Sequence, residues 1–318
     1  MITVDRLIEA TIKKKNPSVI GLDPNISQIP NCYKQEIFSK KLLQATATVI
    51  ENFNRDVIDT VYDLVPAVKL QMAFYEKYGS CGILAFENTI TYAKEKGLVV
   101  IVDAKRNDIG HTANAYAEAY LGEVETLNGT KISNFNSDFL TVNPFLGNDS
   151  LTPFINICKL YEKGIFILVK TSNVDSKEIQ NIPTEDGISV SEKIATDIAK
   201  HAKNFFGKSG YSSIGAVVGA TYPEEAALLR KIMPKNYFLV PGYGTQGGNE
   251  KDIIPCFCPD GLGTVVNSSR GILYSHITDS KRKSITKQNY LKNVREATIS
   301  MKDKIYLSLK EAYPNMIY

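Results

Sequence analysis

LVVIVDAKRNDIGHT, residues 98–112, decides the fold. Its first five residues, LVVIV (98–102), form an unbroken apolar run. Such a run is expected of a strand buried on both faces of a parallel sheet. The run ends in alternating opposite charges, Asp103 and Lys105 on one side of the strand, with Asp108 in the turn just beyond. In an α/β barrel the carboxyl ends of the strands are where the chemistry is done. Taken alone, D-x-K-x-x-D also fits solvated ion pairs in a loop leading into a helix. The remainder of the chain separates the two readings.

Seven more runs have the same character: SVIGLD (18–23), LVPAVKLQ (64–71), DFLTVN (138–143), IFILVKTS (165–172), IGAVVGAT (214–221), YFLVPGYG (237–244) and GTVVNSSRG (263–271). With LVVIVDAK (98–105) that makes eight candidate strands. Helical spacing fills most of the intervals, as in about 40–62, ILAFENTITYAKEK (83–96) and SVSEKIATDIAKHAKNFF (189–206). Strand–helix alternation implies a parallel sheet, and eight repeats imply closure. The predicted fold is therefore a (β/α)8 TIM barrel, α/β in class, a single domain over residues 1–318 with small insertions. The last segment (288–313) places Leu291, Val294, Met301, Ile305 and Leu309 as the stripe of a helix packed outside the barrel. The polar, Asn-rich stretch near 122–137 reads as a loop insertion of unassigned purpose, and no linker divides the chain.

Composition excludes several functional classes. A net charge of +3 over 318 residues gives no footprint for nucleic acid or a membrane surface. The five cysteines include no C-x-x-C pair and read as reduced thiols. MITVDRLIEATIKKK at the N-terminus is amphipathic, and its charges interrupt any signal-peptide core. No apolar run approaches the ~20 residues of a membrane span. A soluble cytoplasmic protein is expected.

Polar groups gather at the carboxyl ends of the eight runs: Asp23, Lys69 with Gln71, Asp103 with Lys105, Asn143, Thr171 with Ser172, Gly219, the glycines after Pro241, and Asn267 with Arg270. The amino ends are expected to lack a matching set. GYGTQGGN (242–249) and NSSRG (267–271) follow the seventh and eighth runs, the usual phosphate site of a barrel. There, glycines would let backbone N–H groups approach an anion and the Arg270 guanidinium would grip phosphate oxygens. Lys69 lies within an apolar run, where its charge requires carboxylate partners. It could otherwise be a Schiff-base lysine or one that reaches water. Asp103 and Asp108 are the nearest candidates, which gives an alternating chain Lys69–Asp103–Lys105–Asp108. At ~4 Å and an effective dielectric of ~20, each contact is worth ~4 kcal/mol before desolvation. The three histidines, His111, His201 and His276, show no metal-ligand spacing. Neither G-x-G-x-x-G after a strand nor G-x-S-x-G occurs, so dinucleotide binding and a serine triad lack support.

From GLDP (21–24) to SRG (269–271) the chain resembles the orotidine 5′-phosphate decarboxylases, which carry out the last step of UMP synthesis. The resemblance is to their longer bacterial-type subgroup, through KLQMAFYEKYG (69–79), DAKRNDIG (103–110), VKTSN (169–173) and PGYGTQGG (241–248). D-x-K-x-x-D alone is shared with sister sugar-phosphate enzymes that bind a metal and carry an acidic residue at the position of Lys69. One departure is Asn107, where Gly is common; Asn tolerates a positive φ.

The resemblance implies conversion of orotidine 5′-monophosphate to UMP with no cofactor and no metal. It assigns Lys105 as proton donor to C6, with Lys69 and Asp103 flanking the reacting carboxylate. It implies a homodimer in which Asp108 and Thr112 reach the partner's site. Asp23 would bind the ribose hydroxyls, Ser172 and Gln246 the base and phosphate region, and Arg270 the phosphate. Gln71 and Asn143 complete the expected substrate-binding set. A separate phosphoribosyltransferase partner is left open. Two rival readings remain at this point: a metal-dependent sugar-phosphate lyase or aldolase on the same barrel, and a non-catalytic nucleotide binder.

Overall fold

The computed structural model describes residues 1–34, 41–244, 247–274 and 283–318. Eight parallel strands close into a barrel in sequence order. They are β1 (Ser18–Leu22), β2 (Ala67–Gln71), β3 (Val99–Arg106), β4 (Phe139–Val142), β5 (Gly164–Lys170), β6 (Ser212–Val218), β7 (Asn236–Val240) and β8 (Thr264–Ser268). Each coincides with one of the eight predicted runs. β2 begins three residues late, because Leu64 and Val65 are still in the turn that closes on Val61.

Helix α1 (Thr3–Lys14) precedes the barrel. Outside it lie α2 (Leu42–Val61), α3 (Gly79–Glu95), α4 (Gly110–Leu121), α5 (Asn148–Tyr161), α6 (Val190–Ala202), α7 (Pro223–Ile232) and α8 (Lys287–Ala312). The long α8 buries Tyr290, Val294, Thr298, Met301, Ile305 and Leu309 against α2 and its neighbours. Leu291 is only half-buried, since the stripe begins one residue earlier at Tyr290. The 122–137 insertion holds a short antiparallel hairpin, Val124–Glu125 against Lys131–Ile132.

Strand alternation divides the core in two. Val100 and Val102 face the helices, whereas Val99 and Ile101 enter the barrel with Val19, Ala67, Phe139 and Phe166. The rings of Phe139 and Phe166 stack at 4.7 Å. Val4, Leu7 and Ile8 of α1 join this interior cluster. The amino-terminal end is thus packed with side chains, and the opposite end is left open for a ligand.

The amino ends are not free of polar groups, contrary to expectation. Ser18, Asp138, Ser212, Asn236 and Thr264 all lie there and are buried. Their work is structural where bonds form: Asp138 accepts the Val100 N–H at 2.9 Å and faces Arg6 at 3.0 Å and Lys94 at 3.6 Å. Asn236 donates to the Ile214 carbonyl. A buried polar group with protein partners and a polar group awaiting a ligand look alike in one dimension.

Candidate active site

A cavity of about 650 Å³ opens at the carboxyl ends of the strands. That is within the ~300–1,000 Å³ usual for small-ligand sites. Its floor is built where β2 and β3 lie side by side, with Gln71 paired to Asp103 in register. Lys69, one pleat earlier on β2, is 3% exposed, and its Nζ donates to Asp103 Oδ2 at 3.0 Å. Gln71 Nε2 donates to the same oxygen at 3.1 Å. Asp103 Oδ1 accepts from Lys105 Nζ at 2.6 Å and from the Thr141 hydroxyl at 2.9 Å. Four donors therefore surround one carboxylate.

Burial acts to raise the Asp103 pKa, but the charges and hydrogen bonds of Lys69 and Lys105 outweigh it and hold the carboxyl well below the usual carboxylate range. Burial likewise acts to lower the pKa of Lys69, yet the charges of Asp103 and Asp23 leave it raised above that of an ordinary lysine. Both groups are charged at neutral pH.

The meeting of Asp103 and Lys105 is not a property of a regular strand. Pairing of β3 with β4 shifts between Val102 and Arg106, so the segment carrying both residues bulges. Lys105 has φ 49°, the left-handed region that side chains with a Cβ avoid. Contrary to expectation, Asn107 does not adopt a positive φ; the strained residue is Lys105. Bulges and strained backbone concentrate at functional sites, where they re-aim side chains.

The predicted four-member charge chain also needs correction. Asp108 accepts the N–H of Ile109 and has no ion-pair partner among the described residues of its own chain. The second carboxylate near Lys69 is instead Asp23, whose Oδ1 is 3.9 Å from Nζ. That oxygen is buried without a hydrogen-bond partner, as is Oδ1 of Asn267 on the neighbouring strand β8. Both residues line the cavity, where polar side chains suit hydroxyl donors on a ligand.

Ser172 and Arg270 line the cavity as expected. Gly219 lets the Ser172 segment approach, since a Cβ there would lie 2.9 Å from the Ser172 backbone. Arg270 is exposed at the mouth. Beside it Gly242 and Gly244 turn with φ 94° and 79° and Gly247 with 97°, conformations that favour glycine. Gln246 lies outside the described residues, as does His276. Gln71 is in place, but its amide is already committed to Asp103. Asn143 does not line the cavity; its Oδ1 accepts the Phe145 N–H and shapes the loop after β4. Thr112 is exposed on the first turn of α4, outside the cavity.

Sequence reading missed Thr141, Asn25 and Tyr274. Tyr274 accepts the N–H of Asn25 at 3.0 Å and steadies the loop after β1. Thr141 gave no signal, because a β-branched residue within DFLTVN is what any strand would carry. Leu168, Val217 and Leu239 give the cavity an apolar wall. Among the described residues no group of three or more His, Cys, Asp or Glu side chains is placed to hold a metal ion, and no helix is long and apolar enough to cross a membrane.

Comparison with known proteins points to one family. The family model for the orotidine 5′-phosphate decarboxylase / HUMPS family matches residues 43–281. An orotidine 5′-phosphate decarboxylase of Rhodopirellula baltica is 40% identical over 300 residues, which span 94% of this chain and 97% of that protein. One of Clostridium tetani is 39% identical over 303 residues, 95% and 97% of the two chains. Among solved structures, a putative orotidine 5′-phosphate decarboxylase from Streptomyces avermitilis superposes with a TM-score of 0.76 at 30% identity, covering 97% of this chain and 96% of that one. One from Toxoplasma gondii gives 0.77 at 25% identity, covering 98% and 97%.

Proposed function

The chain belongs to the orotidine 5′-phosphate decarboxylase / HUMPS family, and from that premise we propose that it converts orotidine 5′-monophosphate to UMP and CO2 with neither metal nor cofactor, through Lys69, Asp103 and Lys105. The observation that carries this reading is a buried Asp103 carboxylate held between two lysines on the floor of the cavity. A binder would have no use for so costly a charge cluster, since buried ions carry a large desolvation penalty.

In the reaction the C6–carboxylate bond breaks, CO2 departs and the electron pair stays on C6. No group in the pyrimidine delocalises that pair, so stabilisation is electrostatic and arranged beforehand. The Lys105 ammonium supplies the positive field and then the proton, and recovers its own proton from solvent. Asp103, set beside the substrate carboxylate, disfavours the bound ground state. Binding of the distant phosphate by Arg270 and the glycine turns offsets that penalty. Asp23 and Asn267, which line the cavity, take the ribose hydroxyls. Ser172 takes the base, and Gln246 joins the base and phosphate contacts.

Asp108 belongs in this reading to the partner's site, with Thr112. Both stand outside their own chain's cavity, Asp108 in the turn before α4 and Thr112 in its first turn. Exposed Ile109, Phe145 and Leu146 lie at the starts of the adjacent helices α4 and α5 and suit burial against a second copy.

The name of the matching family also covers relatives with other chemistry. Against a metal-dependent sugar-phosphate reaction stands Lys69, a cation where such relatives carry an acidic residue. The deciding experiment follows loss of orotidine monophosphate absorbance with EDTA present. Sustained turnover is expected; turnover abolished by the chelator, or none at all, would overturn the proposal.

A further inference from the structure

β3 and β4 stay in register through Val102 and Leu140, then resume at Arg106 and Val142. A single residue of β4, Thr141, therefore stands opposite three of β3, and those three include Asp103 and Lys105. A bulge leaves backbone groups without ladder partners, and a buried N–H cannot go unpaired without cost. The Lys105 N–H finds its acceptor in the Thr141 side chain, at 2.9 Å from Oγ1. A hydroxyl that accepts still has one proton to give. That proton goes to Asp103 Oδ1, also at 2.9 Å. Thr141 is 1% exposed, so water does not replace either bond.

We propose that Thr141 is a positioning residue for the decarboxylation, its one hydroxyl fixing both the left-handed backbone of Lys105 and the orientation of the Asp103 carboxylate. The inference rests on the decarboxylase reading above. Asp103 Oδ1 receives both the Thr141 hydroxyl and the Lys105 ammonium. The hydroxyl thus ties the main chain of the proton donor to the carboxylate that its own side chain touches. Without it, the Lys105 N–H and one lobe of Asp103 Oδ1 are left bare, and the ammonium is free to swing with the relaxed backbone. Misplacement on this scale affects the chemical step more than nucleotide binding.

The test compares Thr141→Val, which keeps the branched shape, with Thr141→Ser, which keeps the hydroxyl. In the valine variant kcat is expected to fall roughly ten- to hundredfold, the loss of hydrogen bonds to a charged group and a strained amide. KM and UMP affinity should stay within about threefold, and the serine variant should retain kcat within a similar factor. Deuterium exchange at C6 of UMP, followed by NMR in D2O, reads protonation by Lys105 without decarboxylation and should fall in parallel with kcat. A valine variant with wild-type kcat and exchange overturns the proposal. So does one in which kcat, nucleotide affinity and thermal stability decline together and serine restores none of them. If the valine variant does not fold, Thr141→Cys, with its weak thiol donor, replaces it, and wild-type turnover there is equally fatal. An inactive wild-type enzyme rejects the decarboxylase reading itself; an active wild type beside an equally active valine variant rejects only the role of Thr141.

Discussion

Lys105 turns its ammonium back to within 2.6 Å of Asp103 Oδ1 while its own backbone sits at φ 49°. A side chain held this way is aimed, and the aim is maintained by the bulge of β3 rather than by the lysine itself. The first prediction follows from that aim. Lys105→Ala should lower kcat by at least ~10²–10⁴-fold, the range of a positioned general acid, and retain UMP binding. Steady-state kinetics with a separate UMP titration checks it, and full turnover in the variant would remove Lys105 from its assigned role.

Asp103→Asn isolates Lys69. A lysine with a side chain only 4% exposed would lose its closest counter-ion, leaving Asp23 at 3.9 Å. Stability should fall by about 2–4 kcal/mol, toward the lower part of the range for a broken buried pair because Asp23 remains. The difference from wild type must also depend on pH. The folded-state pKa of Asp103 lies below its ordinary 3.8, so the unfolded chain binds the proton first as pH drops. The contribution of Asp103 is therefore full above about pH 5 and is lost progressively below 3.8. Urea titrations of both proteins at pH 6, 4.5 and 3 should show the gap narrowing only at the most acidic point.

Lys69 sets the opposite limit. Its folded-state pKa is raised above 10.5, so its contribution is complete at lower pH and disappears as pH climbs beyond that value. Denaturation monitored from pH 8 to 11 should therefore give wild type and Lys69→Met curves whose separation is constant through pH 9 and shrinks only at the alkaline extreme. Wild-type stability that instead rises relative to the variant as pH climbs toward 10.5 would mean that Lys69 is neutral when buried.

Arg270→Ala should reduce kcat/KM for orotidine monophosphate at least tenfold, as expected for loss of a charge-assisted contact of ~1.5–3 kcal/mol. For orotidine, which lacks the phosphate, wild type and variant should react equally slowly. An equal loss on both substrates would place Arg270 elsewhere in the reaction.

If Asp108 completes the partner's site, Asp108→Ala alone should be nearly inactive, and so should Lys105→Ala. Mixed and allowed to exchange subunits, the two should regain activity, because each hybrid dimer holds one intact site; random pairing gives about a quarter of wild-type activity. Activity that stays at the level of the separate variants after hybrid formation would place Asp108 in its own chain's chemistry.

Much of this was legible in one dimension because it rests on periodicity. Eight apolar runs with helical intervals define the barrel whatever their exact limits, and VDAKRND carries its charges in so short a span that they fall at one strand end. Lys69 was legible for a related reason, as a cation in an apolar run announces a buried partner. The identity of that partner was less so. Asp23 and Asp108 are both acidic residues near strand ends, and only the pairing of β1 with β2 brings Asp23, just past the end of β1, beside Lys69, while Asp108 lies in the turn before α4 and bonds there. Gln71 has the composition of a substrate ligand but spends its amide on Asp103. Asn143 spends its own on a turn.

Sequence by itself determined the barrel, its open end and the Lys69–Asp103–Lys105 set, because hydrophobic spacing dictates burial and a strand's end dictates where charge can emerge. Tertiary structure alone decided that Lys105 takes the left-handed conformation, that Thr141 fills the gap of the bulge, and that the amino ends hide buried polar groups of their own. Those outcomes depend on pairing between strands distant in the chain, and register is a property of two strands that neither one encodes alone.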